Sequence, residues 1–173
     1  MAWTNPRTWV VGELVTAAIM NTHIRDNQVF SQAEACTVWT PATTPDNGGA
    51  VGTHGNWPVI LLGAINESAL MSFPVPAGFT ALVAADIVVI ADCTDAAAEW
   101  SIYSEYGTYG EAYNVHSESD ILTTYNATQN DLIAVDCTGI LTGIAADDFV
   151  GLEFVIRINL DHAYVVGFYM TYT

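Results

Sequence analysis

The 173-residue sequence contains no lysine, and its only arginines are Arg7, Arg25 and Arg157. Against nineteen acids, this gives a formal net charge of −16 at pH 7. A chain so poor in cations repels a phosphate backbone, which disfavours nucleic acid as a partner. Cysteine is scarce as well. Cys36, Cys93 and Cys137 stand far apart, with no CxxC and no Cys/His spacing suited to zinc. Their odd number argues against a disulfide framework and leaves a Cys93–Cys137 pair open. No run of about 18 or more apolar residues is present, so membrane insertion is not expected. The opening MAWTNP has neither a basic n-region nor an apolar h-region. A signal peptide is therefore not expected, and synthesis in a cytoplasm is. GxSxG, HExxH, P-loop, GxGxxG and EF-hand patterns are all missing, so we expect no enzyme, no cofactor and no metal.

What the sequence does contain is apolar. Hydrophobic residues make up 51% and charged residues 13%, a balance that hints at surface buried between subunits. The length suits one main domain with a short appendage, large enough to fold without a staple. Charge divides unevenly along it. Residues 1–35 carry Glu13, Asp26 and Glu34 against Arg7 and Arg25, whereas residues 36–173 carry sixteen acids against Arg157.

Residues 1–15 read as an extended arm, because Asn5-Pro6 disfavours helix at residue 5. Trp3, Arg7 and Trp9 are interface-type anchors within it. Thr16 is a fair N-cap, and residues 17–31 then read as helix. Ala17, Met20, Ile24, Asn27 and Ser31 recur at 3-4-3-4 spacing, the pattern of a coiled-coil seam. So short a helix is marginal alone and needs a partner, either its own domain or further copies of itself. Asn27 would set the register of such copies, and Arg25 beside the seam would pair across them. Residues 37–57 are rich in Thr, Pro, Asn and Gly and read as loop. The expected division is an arm and helix over 1–35, a linker over 36–58 and a β domain over 59–173.

From Val59 onward, segments such as VILLG, SALMSF, ALVAADIVVIA, EWSIYS and FVGLEFVIRIN read as strands separated by turns. Phe154, Ile156 and Ile158 alternate with Glu153, Val155 and Arg157, and Tyr164, Val166, Phe168, Met170 and Tyr172 fall on one face. The fold class expected is mainly β: an antiparallel sandwich or jelly roll preceded by a short arm and helix. Residues 103–120, YSEYGTYGEAYNVHSESD, form the most distinctive stretch. Tyrosine-rich loops give rigid amphipathic contacts, which makes Tyr106, Tyr109 and Tyr113 candidate ligand contacts. His116 beside Glu118 and Asp120, the pair Asp147-Asp148, and Asp92 with Asp95 are weaker candidates for chemistry or calcium.

The stretch PRTWVVGELVTAAIMNTHIRDN, residues 6–27, resembles a motif that opens structural proteins of tailed bacteriophages and related prophage elements. Less specifically, PAGFTALVAADIVV followed by GIAADDFVGLEFVI is similar to the strand layout of tumour-necrosis-factor-like jelly rolls. The resemblance implies a virion surface protein: a capsid decoration or head-fibre subunit, or a tail-fibre or carbohydrate-binding tip. It implies attachment to a major capsid or other virion protein, which we place on Trp3, Pro6, Arg7, Trp9, Val10 and Glu13. Homotrimerisation is expected through Met20, Ile24, Arg25 and Asn27, with a host-surface glycan as a further partner. A subunit of a non-viral extracellular filament is the remaining alternative. Light scattering tests the seam: the full chain should have the mass of a trimer, and a chain beginning at residue 36 that of a monomer.

Overall fold

A strand that buries every second side chain needs an apolar surface to bury it against. Here two sheets serve each other. The structure, a computed structural model, describes residues 35–158 and 162–173, with Leu122 described by its backbone alone. The expected arm and helix, and with them every attachment and oligomerisation residue named above, lie outside the described residues.

Eleven strands are described: β1 (Cys36–Pro41), β2 (Thr44–Asp46), β3 (Ala50–His54), β4 (Trp57–Leu62), β5 (Ser68–Pro74), β6 (Leu82–Ala91), β7 (Asp95–Gly107), β8 (His116–Ala127), β9 (Leu132–Asp136), β10 (Phe149–Ile156) and β11 (Ala163–Tyr172). Their pairing is nested. β4 pairs β11, β5 pairs β10, β6 pairs β9 and β7 pairs β8, all antiparallel. The chain from β4 to β11 is thus one long ribbon folded over on itself, with its tip at residues 108–115. Successive ribbon pairs fall in opposite sheets, giving the orders β3-β4-β11-β6-β9 and β2-β5-β10-β7-β8. This is the jelly-roll form of the antiparallel sandwich.

The segment expected as a linker is instead structural. β1, β2 and β3 occupy most of residues 36–58, and β1 pairs the last strand, Cys36 opposite Tyr172 and Pro41 opposite Gly167. Thr, Gly and Pro hid these short strands; β1 and β2 have partners far away in sequence, whereas β3 forms a hairpin with β4. Gly167 is required there. A Cβ at this position would stand 2.5 Å from the Thr40 carbonyl oxygen and 2.9 Å from the Pro41 Cα.

One expected face is also corrected. The register of β11 against β6 shifts between Val165 and Gly167, a bulge that adds one residue to β11. Phe168 and Met170 therefore join the core with Ala163 and Val165. Val166 and Tyr164 turn to the outer face, where they pack with Val59, Leu61, Val88 and Ile90. On β10 the alternation holds: Phe154 and Ile156 are fully buried, while Ile158 lies past the strand end and is exposed.

Aromatic packing fills the interior. Phe73 of one sheet stacks on Phe168 of the other, with centroids 4.5 Å apart. Trp100 is held between Tyr125 at 5.1 Å and Phe154 at 5.3 Å. No disulfide joins Cys93 to Cys137, the pair the sequence left open, and Cys137 is buried in the core. Trp100 is 1% exposed, so Trp100→Ala should cost about 3–5 kcal/mol in denaturant unfolding. Burial, with Asp120 adding to it, pushes the Tyr125 hydroxyl up to about 12. The folded state therefore favours the protonated phenol, while the unfolded chain ionises near pH ~10. Stability present below that pH should fall as it rises towards about 12, and fall less in Tyr125→Phe. Urea midpoints across that range check this.

Candidate ligand-binding groove

Outward positions on β5, β10, β7 and β8 are expected to be polar, since only the inward ones meet the opposite sheet. In the second sheet they form two rows. Ser72, Gly151, Glu105 and Ser117 stand opposite one another across four strands. The next row holds Leu70, Glu153, Tyr103 and Ser119, with Thr44 of β2 opposite Leu70. A groove of about 410 Å³ crosses these rows, bordered by Leu70, Ser72, Tyr103, Glu105, Gly151 and Glu153. Gly151 lowers its floor. A Cβ there would meet nothing nearer than the Glu105 carbonyl oxygen at 3.8 Å. A larger side chain at 151 would therefore project into the groove without touching the core.

Arg157 continues the outward face of β10 just beyond its end and is the sole arginine or lysine of residues 35–173. Its Nε donates to Ser101 Oγ at 2.9 Å and its Nη1 to Asn66 Oδ1 at 2.9 Å. Nη2 donates to the Tyr103 hydroxyl, and the guanidinium carbon lies 5.6 Å from that ring's centroid. Three neutral acceptors thus hold the cation against Tyr103, and together they fix the ring that borders the groove. Towards the ribbon tip, Phe149 lies two residues from Gly151 on the same face. Tyr109 meets it edge-on at 4.8 Å.

The three candidate tyrosines part company. Tyr109 and Tyr113 are 85% and 76% exposed on the tip loop. Tyr106 is corrected: it is 1% exposed, because it falls on the inward side of β7 with Trp100, Ile102 and Ser104. Its hydroxyl accepts from the Gly143 amide at 3.1 Å, and His116 stacks on its ring at 4.9 Å. Burial also pushes that hydroxyl's pKa up.

The acids near His116 are engaged in local structure. Glu118 accepts from the amide and hydroxyl of Thr142, and Asp120 accepts from the Thr123 hydroxyl. Asp148 accepts from the Ala145 amide at 2.8 Å and closes a turn. Asp95 accepts from the Ala97 amide, and Asp92 accepts from the Tyr164 hydroxyl, both at 2.8 Å. Among the described residues, no group of three or more His, Cys, Asp and Glu side chains is placed to hold a metal ion.

Sequence reasoning overlooked Gly151 and Glu105, and it placed Glu153 and Arg157 on a shared strand face without assigning them a role. The available signal was polarity at alternate positions of an otherwise apolar strand: Gly151, Glu153, Arg157.

No protein-family model matches the chain. No curated protein matches it. Among solved structures it is similar to a family two carbohydrate esterase from Cellvibrio japonicus, at 11% identity and a TM-score of 0.43. That match covers 80% of this chain but 34% of the esterase chain, so this chain spans about a third of that protein. It is also similar to TmCBM61, solved in complex with beta-1,4-galactotriose, at 12% identity and a TM-score of 0.43, covering 82% and 90% of the two chains. The CBM36-1 domain of a multidomain xylanase, from the hindgut metagenome of Trinervitermes trinervoides, matches at 10% identity and a TM-score of 0.41, covering 78% and 96%. At such values these likenesses carry no functional argument.

Proposed function

We propose that the protein is a particle-surface subunit that contacts carbohydrate. In this scheme residues 6–27 tether it to a phage-like virion, and the sandwich presents its groove as a glycan- or receptor-binding tip. The groove carries the proposal. Its volume of about 410 Å³ falls within the span of roughly 300–1,000 Å³ usual for ligand sites. It combines what a sugar needs: an immobilised aromatic ring, Tyr103, with carboxylate and hydroxyl groups from Glu105, Glu153, Ser72 and Ser117. The carboxylates accept from sugar hydroxyls, and the ring and Leu70 cover the apolar face of a pyranose. Tyr109 and Phe149 extend this surface toward the tip. Three copies on one particle would multiply a weak single-site affinity by avidity.

A glycan array run with the full chain tests this. Binding should be reproducible and fall at least about tenfold, ~1.4 kcal/mol, in Gly151→Leu, with the melting temperature unchanged. Tyr109→Ala should weaken it less. No binding, or binding indifferent to residue 151, would refute the groove.

A capsid-decoration or head-fibre role without a ligand is the second reading, favoured by the motif over residues 6–27. In it the major capsid protein is the partner and the trimeric sandwich is displayed for shell stability alone. Both readings share the tether. Trp9→Ala should abolish co-sedimentation with particles and leave the sandwich's unfolding transition intact; a mutant that fails to fold would refute that division of labour.

A further inference from the structure

Resting on the glycan reading, a narrower question is which glycans the groove admits. Its charged groups answer it. The outward positions of β5 contribute Leu70 and Ser72, β2 contributes Thr44, and β8 contributes Ser117, all uncharged. β7 contributes Glu105 and β10 contributes Glu153. Glu105 stands opposite Gly151, so Glu153 is its diagonal neighbour, with backbones roughly 7–8 Å apart. A ligand lying over Gly151 is therefore flanked by both carboxylates.

A cation in the groove would offset them, but among the described residues no arginine or lysine borders it. Arg157 is the sole arginine or lysine of residues 35–173, and its guanidinium points at Ser101, Asn66 and the Tyr103 hydroxyl. It is not among the residues bordering the groove. A guanidinium is the side chain that recognises carboxylate, sulfate or phosphate in bidentate fashion, and here Nε, Nη1 and Nη2 each already donate to a neutral acceptor of the fold.

We propose that Glu105 and Glu153 are specificity-determining residues that restrict the groove to uncharged glycans and reject those carrying uronate, sulfate or phosphate groups. Sugar hydroxyls donate to the two carboxylates, whereas an anionic substituent brings a third negative charge within a Debye length of both, about 8 Å at physiological ionic strength. The surrounding charge reinforces the selection, because residues 36–173 carry sixteen acids against one arginine.

The experiment uses the full chain and two probe sets: neutral hexose and pentose oligosaccharides, and the same backbones bearing uronate or sulfate. The wild type should bind neutral members at least about tenfold more tightly than their anionic counterparts, with the gap narrowing at high salt. The double variant Glu105→Gln, Glu153→Gln keeps the hydrogen-bonding reach of both side chains and removes their charge. It should bring anionic glycans to within about threefold of neutral ones while its melting temperature stays unchanged. Equal or tighter binding of anionic glycans by the wild type would overturn the selectivity and leave the glycan groove standing. Selectivity unaltered in the double variant would also overturn it, by removing the two glutamates as its source. Failure of both probe sets to bind the wild type would remove the groove's function and the selectivity with it.

Discussion

The interior contact between Phe73 and Phe168 joins the two sheets, and most of the molecule follows from the need to make it. Each aromatic sits on a different sheet, and each sheet presents a buried face only because the other covers it. Trp100, Phe154 and Tyr125 extend the same packing along the second sheet. These residues fix the inward side of β7 and β10. By alternation they also fix which side chains face outward, and the groove is made from those.

The nested ribbon explains why the groove and the tip loop lie where they do. Pairing β7 with β8 leaves residues 108–115 as the far end of the ribbon, the point least held by neighbouring strands. Pairing β5 with β10 and β10 with β7 brings residues from near positions 70, 104 and 152 into adjacent rows. No local stretch of chain holds the whole site. The outer face of the first sheet has a different character: Val59, Ile90 and Val166 are buried there beside Leu61, Val88 and Tyr164. One sandwich thus carries a polar outer face with a groove and an apolar outer face.

Much of the fold was legible from alternation. β4, β5, β6, β9, β10 and β11 all lie where apolar residues recur, because each buries one or both faces. β8 was not legible. Its sequence HSESDILTTYNA is polar at most positions because β8 is the edge strand of its sheet and little covers it. β1 to β3 escaped notice for a related reason: their residues are short or turn-forming, and β1 and β2 are held by distant partners. The misplacement of Tyr106 has the same origin. Reading residues 103–120 as a loop put Tyr106 beside Tyr109 and Tyr113 and passed over Tyr103, but β7 runs through Gly107 and sends Tyr103 outward and Tyr106 inward.

The sequence by itself determined the class of the molecule. Apolar alternation with few helix signals demands an antiparallel sandwich, and an almost cation-free composition demands a surface hostile to anions. Tertiary structure alone decided the site. Whether Glu105 and Glu153 become neighbours depends on the register of β7 against β10, and strands so far apart in sequence record no such register locally. The same holds for Arg157. As a letter it is one cation among many acids. Its three hydrogen bonds turn it away from the groove, and those bonds exist only because Asn66, Ser101 and Tyr103 are brought to it by folding.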